Sequence, residues 1–597
     1  MSVEVNDSLH FIIILHRSSD QLVGKQRIND LFSERQPCYN CSICFIKNGL
    51  KEYLQVKQNQ AGQEIIMLGD DAIGRGAIEA GISLATSYPG TPATQILEYI
   101  AHNFSGDVEW AVNEKVALET AIGASYAGKR AMCSMKHVGL NVASDPLMTA
   151  AYLGIKGGLV LAVSDDPGAY SSQNEQDSRF YAKFAKIPCL EPSDSQEAKD
   201  MTIMAFELSE QTGLPVMLRT VTRICHAYSP VTLGAVREEN PLSLQKDPGN
   251  MIAVPSNVLR CHRNLQDKQK RLRKWGAATG MNTAVKSGQK KGIIACGIGY
   301  TYAKEYGSEF ALLKISYYPV NETLIGEFVR GLEEVWVLEE GEPLVEEVVR
   351  KYSTKVKGKI SGEIGITGEL GPDVMSEYVQ GWSVGQRRDT FAKPLPPRPP
   401  VLCPGCPHSK FYEALKAAQP SFTAGDIGCY TLGANPPYQI VDTCLCMGAG
   451  ISQAAGIAKQ GVRRVAAVIG DSTFIHSGIP ALINAVYNRA NIMVLILDNS
   501  AVAMTGNQPT PLTGLTAKGK EGGKISLEEI CKACGVTSVE VTDPYDVKKT
   551  ETVLKEKLDA EGVNVVISRR PCVFVTRRLM KMKRKTIGYI PAEEKAQ

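Results

Sequence analysis

The sequence has no long apolar run, no excess of charge of one sign, no low-complexity tract and no short internal repeat. The apolar stretch nearest the N-terminus, Phe11–Leu15, is too short for a secretory signal or a membrane span, so we expect no membrane association. Lysine and arginine (66) nearly balance aspartate and glutamate (63), and the net charge of +3 gives no reason to expect nucleic-acid binding. These absences indicate an ordinary globular protein of several domains.

Cysteine, in contrast, is plentiful, with 16 residues in a chain that carries no export signal. Disulfides are rare in the reducing cytosol, where cysteines serve as metal ligands or as small core residues. We therefore predict a cytoplasmic protein in which some of these thiols bind a metal.

Apolar strand-like runs alternate with helical stretches through most of the chain, a pattern typical of α/β domains built on parallel sheets. Between 65 and about 230 the predicted strands are EIIMLGD, GISLATSYPGTPA, KGGLVLAVSDDPG and LPVMLRTVT. A second unit contains GIIACGIG and EEVWVLEEG, and a third follows the proline-rich PLPPRPP, a stiff boundary. The predicted organisation is an N-terminal extension (1–64), α/β domains (65–234, 292–381 and 401–579), linkers (235–291 and 382–400) and a basic tail (580–597).

The most informative stretch runs from Val465 to Asn499 and reads VAAVIGDSTFIHSGIPALINAVYNRANIMVLILDN. Two nearly continuous apolar runs, each typical of a strand buried on both faces, end in Gly470-Asp471 and Asp498-Asn499. Their polar ends should therefore meet at one edge of a parallel sheet, where such sheets bind ligands. A carboxylate and an amide oxygen there suit Mg²⁺ clamped to a diphosphate. The alternative is an ordinary buried βαβ unit with polar strand ends.

Several long segments together resemble the indolepyruvate:ferredoxin oxidoreductase family (alpha subunits) of the thiamin-dependent 2-oxoacid:ferredoxin oxidoreductases. They are SYPGTPATQI, NEKVALETAIGASYAG, MKHVGLNVASDPL, the segment from DDPGAYSSQNEQDSR to DSQEAKDM, CPGCPH, GDIGCYTLGA, VDTCLCMGAG and GDSTFIHSGIPALINAVYN. The resemblance covers about 65–579. It implies three doubly wound parallel-sheet α/β domains of the thiamin-diphosphate-enzyme type: pyrimidine-binding, transketolase-C-like and diphosphate-binding, in that order.

The resemblance implies that Glu114 is the catalytic carboxylate, placed against N1′ of the coenzyme's pyrimidine ring. A buried glutamate suits that proton transfer, although an acidic residue in the first turn of a helix is also favoured by the helix dipole alone. Thr91, in YPGTPA, corresponds to a threonine near the substrate carboxylate, although Thr91-Pro92 is also typical of a turn. Lys136 and His137 are expected to orient the 2-oxo acid or to stabilise charge on the departing carboxylate, with structural roles as the alternative. Gln173 and Asn174, in a polar loop, are further candidates for the lining of the site.

For the magnesium ion, the resemblance implies Asp471, the Asn499 side chain and the carbonyl of Ala501 as ligands. The thiamin diphosphate motif of such enzymes usually begins Gly-Asp-Gly, whereas this sequence has Gly470-Asp471-Ser472. Ser472 and His476 begin the helix that follows, whose N-terminus favours an anion such as the diphosphate. His476 also fits a helix-capping role.

Four thiolates hold a four-iron cluster, and the resemblance implies such a [4Fe–4S] cluster on Cys403, Cys406, Cys429 and Cys572. CxxC pairs also serve zinc and redox chemistry, so these alternatives stay open for CPGC. Cys444 and Cys446 are rival ligands, and Cys446 is expected close to the coenzyme. A second CxxC pair, Cys531 and Cys534, lies in an amphipathic stretch where cysteine is a small core residue.

The family usually carries a ferredoxin-like domain with two further clusters, whereas no cysteine follows Cys572 and no C-x₂-C-x₂-C-x₃-C-P run is present. Cys38, Cys41 and Cys44, in the extension 1–64, supply only part of a cluster motif. We expect that extension to lie upstream of the family's usual start, near Met67. Basic clusters at Lys268–Lys274 and Arg577–Lys585 are typical of solvated faces, with docking of an acidic electron carrier as the alternative.

The implied reaction is oxidative decarboxylation of arylpyruvates, indolepyruvate above all, to aryl-acetyl-CoA and CO₂. The implied partners are a smaller beta subunit, ferredoxin, coenzyme A and the 2-oxo acid substrate, with thiamin diphosphate and Mg²⁺ bound. The alternatives are a non-oxidative thiamin-dependent decarboxylase or carboligase, and a non-catalytic assembly subunit.

Overall fold

A computed structural model describes residues 61–577, except 306–308, 373 and 380–399. The described residues belong to one compact unit that begins at Ala61. The expectations for Cys38, Cys41, Cys44, the PLPPRPP boundary and the basic tail therefore fall outside the described residues, apart from the last proline, Pro400.

The first large sheet has seven strands in the order β12-β6-β7-β5-β4-β2-β3, all parallel to their neighbours except β12. Its strands are β2 (Leu84–Ser87), β3 (Asp107–Trp110), β4 (Ala131–Lys136), β5 (Leu159–Asp165), β6 (Cys189–Leu190), β7 (Val216–Val221) and β12 (Tyr317–Tyr318). Every residue of β4, β5 and β7 is buried, because helices cover both faces. The predicted α/β class with parallel sheets is confirmed.

We expected the segment EIIMLGD to contribute a strand to the parallel sheet. Its first five residues do form a strand, β1 (Glu64–Leu68), but this strand lies outside that sheet. It pairs antiparallel with β8 (Tyr228–Thr232) in a separate two-stranded sheet. Glu64 and Ile66 are exposed, so one face of this strand meets solvent, as antiparallel pairs allow and buried parallel strands do not.

Helices connect and cover the strands of this first region. They are α1 (Gly69–Glu79), α2 (Thr94–Asn103), α3 (Glu114–Tyr126), α4 (His137–Val142), α5 (Ser144–Leu153), α6 (Arg179–Ala185), α7 (Ser195–Thr212) and α8 (Thr222–His226). In the segment expected to be a linker with helical content lie α9 (Pro248–Met251) and the 24-residue α10 (Pro255–Ala278). No helix in the described ranges is both long and apolar enough to cross a lipid bilayer.

The second large sheet has five strands in the order β14-β13-β10-β11-β9, with β9 antiparallel. Its strands are β9 (Ala284–Val285), β10 (Lys291–Cys296), β11 (Ala311–Ile315), β13 (Glu334–Leu338) and β14 (Val356–Lys357). Its helices are α11 (Gly297–Lys304), α12 (Glu322–Val329) and α13 (Leu344–Val349), followed by a π-helical turn (Val374–Val379). One hydrophobic cluster contains buried residues of both this sheet and the first, so the two share a core.

The third large sheet is fully parallel, with five strands in the order β15-β16-β17-β19-β18. They are β15 (Phe422–Ala424), β16 (Val465–Gly470), β17 (Ile492–Asp498), β18 (Ser538–Thr542) and β19 (Val563–Arg569). The helical segments are α14 (Pro407–Ala418), a 3₁₀ turn (Cys429–Ala434), α15 (Ala449–Ala458), α16 (Asp471–Thr473), a π turn (Phe474–Gly478), α17 (Ile479–Tyr487), α18 (Leu527–Ala533) and α19 (Val547–Asp559). Gly470 pairs with Leu497, so β16 and β17 end at one edge of the sheet.

Candidate active site

A buried contact joins the first and third sheets. Glu114 Oε2 lies 2.9 Å from His476 Nε2, and the two residues are 4% and 4% exposed. The rings of Tyr88 and His476 pack edge to face, with centroids 4.7 Å apart. Burial, together with the nearby carboxylates of Glu114 and Asp471, raises the pKa of Tyr88. Residues expected at opposite ends of one coenzyme therefore approach one another within a single chain.

The sequence around Glu114 fixes its position. Asn113 caps α3, its side chain accepts a hydrogen bond from the Val116 amide at 2.9 Å, and Glu114 is the first helical residue. The Asn113 side-chain amide also donates to the His476 carbonyl at 3.0 Å. Gly139 lies against the carboxylate, and a Cβ built on it would come within 2.5 Å of Glu114 Oε1. A side chain at position 139 would therefore displace the carboxylate.

The polar loop that follows β5 covers the residues expected to hold the substrate. Lys136 Nζ donates to the Ser171 carbonyl at 2.9 Å, and the Ser171 hydroxyl donates to the Thr91 carbonyl at 3.2 Å. His137 Nε2 lies 3.1 Å from Asn174 Oδ1. The structure thus brings Thr91, Lys136 and His137 together under one loop; Gln173 of that loop is exposed.

Asp166 anchors this loop, a role that our sequence analysis missed. Its carboxylate accepts hydrogen bonds from the Ser171 amide (2.8 Å), the Ser172 hydroxyl (2.7 Å) and the Thr222 hydroxyl (2.9 Å). Although burial opposes ionisation, these hydrogen bonds hold the pKa of Asp166 below its usual range. Burial lowers the pKa of Lys136 to about 8, against the opposing effect of the Asp166 and Glu114 carboxylates.

At the edge of the third sheet, Asp471 and Asp498 lie side by side. Asp471 accepts hydrogen bonds from the amides of Ser472 (2.8 Å) and Ser500 (3.0 Å). Burial and the neighbouring Asp498 carboxylate raise the pKa of Asp471 well above its ordinary value. Asn499 Oδ1 accepts from the Ala501 amide at 3.1 Å, which closes a tight turn after β17. Asp498 is paired with Arg569 at 2.7 Å, so Asp471 is the carboxylate left for a cation. Its oxygens and the Asn499 side-chain oxygen are hard donors that fit Mg²⁺.

Two further residues of this edge were not singled out from the sequence. Asp426, which follows β15, is fully buried and accepts hydrogen bonds from the amides of Gly448 (2.8 Å) and Gly450 (3.1 Å) at the start of α15. Burial raises its pKa to about 6. His408 Nε2 lies 3.4 Å from the Asn499 side-chain nitrogen, and burial lowers the pKa of His408 to about 4, so the ring is a neutral acceptor. The signal for Asp426 was present, since Gly425-Asp426 repeats the Gly-Asp pattern of Gly470-Asp471.

The four cysteines that the resemblance implies as cluster ligands interact with one another. Burial raises the pKa of Cys406 to about 11 and that of Cys429 to about 12, and repulsion from the other thiolates adds to both shifts. For Cys406 the repelling groups are Cys403 and Cys572; for Cys429 they are Cys406, Cys572 and Cys403. The Cys572 amide donates to the Asn499 carbonyl at 2.9 Å, which places this cysteine beside the magnesium candidates.

The thiols are neighbours, but they are not gathered into a formed metal site. Among the described residues, no group of three or more His, Cys, Asp or Glu side chains is arranged to hold a metal ion. Their donor chemistry still fits an iron–sulfur cluster, because four cysteine sulfurs are the ligand set that a four-iron cluster takes. Cys444 and Cys446 are exposed and interact with Asp426 and with each other instead.

Two family descriptions match the chain. "Pyruvate flavodoxin/ferredoxin oxidoreductase, thiamine diP-bdg" matches residues 75–280, and "Thiamine pyrophosphate enzyme, C-terminal TPP binding domain" matches residues 426–568. The first range contains Thr91, Glu114, Lys136 and His137, and the second contains Asp471 and Asn499.

Curated relatives match nearly the whole chain. Indolepyruvate oxidoreductase subunit IorA of Archaeoglobus fulgidus is 42% identical, over 90% of this chain and 91% of its own. The subunit of the same name from Methanothermobacter thermautotrophicus is 41% identical, over 86% of this chain and 87% of its own. A solved 2-oxoglutarate:ferredoxin oxidoreductase of Magnetococcus marinus is 17% identical, with a TM-score of 0.45 over 57% of this chain and 70% of its own.

Proposed function

Since this chain belongs to the family of indolepyruvate oxidoreductase IorA subunits, thiamin-dependent 2-oxoacid oxidoreductases, we propose that it oxidatively decarboxylates arylpyruvates, with indolepyruvate as the principal substrate. The products are aryl-acetyl-CoA and CO₂, and ferredoxin takes the electrons. The observation that carries the proposal is the 2.9 Å contact between Glu114 and His476, which joins the two halves of the site in one chain.

Glu114 and its surroundings suit proton transfer at the pyrimidine ring. Thiamin diphosphate, when bound, supplies the nucleophilic carbon that attacks the 2-oxo carbonyl and the electron sink that allows CO₂ to leave. Glu114 holds the proton at N1′ of that ring, and burial keeps water from competing for it. His476 positions the Glu114 carboxylate, since its Nε2 meets Oε2 and leaves Oε1 facing Gly139.

Lys136, His137 and Thr91 hold the 2-oxo acid. The Lys136 ammonium pairs with the substrate carboxylate, and His137 and Thr91 orient it below the loop that Asp166 anchors. This loop excludes water from the reacting carbonyl, with Gln173 and Asn174 part of its polar surface.

The third sheet holds the diphosphate and its metal. Asp471, the Asn499 side chain and the Ala501 carbonyl would hold Mg²⁺, while Gly470 would allow close approach of the diphosphate and Ser472 would offer its hydroxyl. We accordingly assign the pyrimidine end to the domain 65–234, the diphosphate end to 401–579 and a transketolase-C-like role to 292–381.

Cys403, Cys406, Cys429 and Cys572 would hold a [4Fe–4S] cluster, which would supply an electron acceptor next to the site. The support for this assignment is that Cys406 and Cys429 interact with the other two thiols, and that the Cys572 amide donates to the Asn499 carbonyl. We also assign Cys446, which interacts with Asp426 at the same sheet edge, to the coenzyme site. A smaller beta subunit completes the enzyme, and coenzyme A accepts the acyl group.

The proposal is tested by anaerobic co-purification with the partner subunit, followed by assay of ferredoxin reduction with indolepyruvate, coenzyme A, thiamin diphosphate and Mg²⁺. We expect reduction that requires every component and that falls at least about 100-fold in Glu114→Gln. Release of CO₂ without electron transfer would favour a non-oxidative decarboxylase. A chain that binds no thiamin diphosphate would instead be an assembly subunit, and either result contradicts the proposal.

A further inference from the structure

A cavity of about 460 Å³ lies where α6, α10 and α13 meet, at the boundary between the first and second sheet regions. Its volume falls in the range of small-molecule sites, about 300–1,000 Å³. None of the candidate substrate, thiamin or cluster residues lines it.

The lining of this cavity carries an excess of positive charge. Lys183, Lys186, Lys270, Arg273 and Lys351 contribute to it, against one acidic side chain, Glu322. Arg179 also lines the cavity, but its charge is already balanced by Asp177 and Glu339. Glu322 is already paired with Lys351 at 3.5 Å, and Lys270 pairs with Asp267 at 3.1 Å.

Three of these cations lack an acidic partner. Lys183, Lys186 and Arg273 form no ion pair with any acidic side chain in the part of the chain that the structure describes, and the Lys183 ammonium lies only over the Phe180 ring, 5.4 Å from its centroid. Lys186 has a φ of 61°, a backbone conformation that usually selects glycine. Its carbonyl accepts a hydrogen bond from the Gln269 side chain at 2.7 Å, which fixes this residue against α10.

The remaining surface of the cavity is apolar. Ile187, Val320, Leu344 and Val348 line it, with the ring of Tyr318. An apolar floor beside three uncompensated cations suits a ligand that has an apolar or aromatic body and two or more negative charges. A single carboxylate would leave most of that positive charge without a partner. A phosphate ester or a diphosphate carries the two or more negative charges that would pair with it.

We propose that this cavity binds an organic phosphate of nucleotide size, with its phosphates on Lys183, Lys186 and Arg273 and its ring on the apolar floor. The cavity borders Arg179, whose guanidinium is already bound to Asp177 and Glu339. Asp177 belongs to the same loop as Asn174, the partner of His137, so Arg179 and this loop connect the cavity with the substrate side of the active site.

The test is a fluorescence titration of the full-length protein with trinitrophenyl-ADP, at saturating thiamin diphosphate and Mg²⁺ so that the coenzyme site is filled. We expect saturable binding that ADP and pyrophosphate displace and that adenosine does not. Arg273→Glu should weaken binding at least 10-fold. Lys274→Glu is the matched control, because Lys274 is the next residue of α10, is exposed and does not line the cavity.

Lys183→Ala provides a second variant, since its exposed side chain is not needed for packing. It should weaken binding several-fold with an unchanged melting temperature. Absence of saturable binding, equal losses in Arg273→Glu and Lys274→Glu, or unchanged affinity in both cavity variants would each overturn the proposal. Because dependence on Arg273 identifies the cavity itself, this outcome does not depend on whether the thiamin assignment is correct.

Discussion

Gly139→Ala should disable the catalytic carboxylate without removing any functional group. The new Cβ would lie 2.5 Å from Glu114 Oε1 and 2.7 Å from its Cγ, where 3.4 Å is an ordinary contact. Glu114 must therefore move by about 0.9 Å, the difference between 3.4 and 2.5 Å. A misplacement of about 1 Å can lower a catalysed rate by about 100-fold, or about 2.7 kcal/mol of transition-state stabilisation.

Gly123→Ala is the matched control, because Gly123 lies on the helix that Glu114 begins and a Cβ there meets nothing within 4 Å. The same chemical change should leave kcat unaltered and raise stability by about 0.5–1 kcal/mol, since alanine favours a helix interior over glycine. The assay is steady-state reduction of ferredoxin or a viologen dye with a 2-oxo acid and coenzyme A, with thermal unfolding measured beside it.

We expect a low kcat in Gly139→Ala with a melting temperature within a few degrees of the wild type. Wild-type kcat in Gly139→Ala would contradict this prediction, because it would mean that the position of the Glu114 carboxylate does not limit the reaction. Equal losses in both variants would refute it as well, since Gly123 contacts nothing near the site.

Three further predictions concern ionisation and the cluster. Because burial lowers the pKa of Lys136 to about 8, the KM for the 2-oxo acid should rise as pH passes 8, and Lys136→Met should show a high KM that is independent of pH. Burial raises the pKa of Glu340 from an ordinary 4.5 to about 7, so the folded state binds this proton more tightly than the unfolded state. The stability that the protonated Glu340 contributes is complete below pH 4.5, and roughly 3 kcal/mol of it is lost as the pH rises to 7. The melting temperature of Glu340→Gln should therefore exceed that of the wild type at pH 8 but not at pH 4.5. Cys406→Ser should lose iron and acid-labile sulfide in anaerobic preparations, whereas Cys534→Ser, in the second CxxC pair, should retain both; equal retention would remove the cluster assignment.

The edge of the third sheet could be predicted from the sequence because its two central strands are fully buried. Strands covered on both faces read as continuous apolar runs, so the polar residues that end them stand out at Asp471 and Asn499. Asp426 was missed because β15 has only three residues, Phe422–Ala424, too few to show such a run. The antiparallel pairing of EIIMLGD was missed because an isolated strand does not identify its neighbour.

Contacts between distant segments could not be predicted. Cys572 follows Cys429 by more than a hundred residues, and their proximity depends on how the end of β19 meets the turn after β17. The pairing of Glu114 with His476 depends on the way the first and third sheets face each other. His476 was accordingly interpreted from its own helix, as a diphosphate or capping residue, and its contact with Glu114 through Nε2 was not anticipated.

The most direct measurement is an experimental structure of the protein with thiamin diphosphate and Mg²⁺. We expect N1′ within about 3 Å of the Glu114 carboxylate, and Mg²⁺ on Asp471 and Asn499 of the same chain. A coenzyme bound elsewhere, or held between Glu114 of one chain and Asp471 of another, would contradict this expectation.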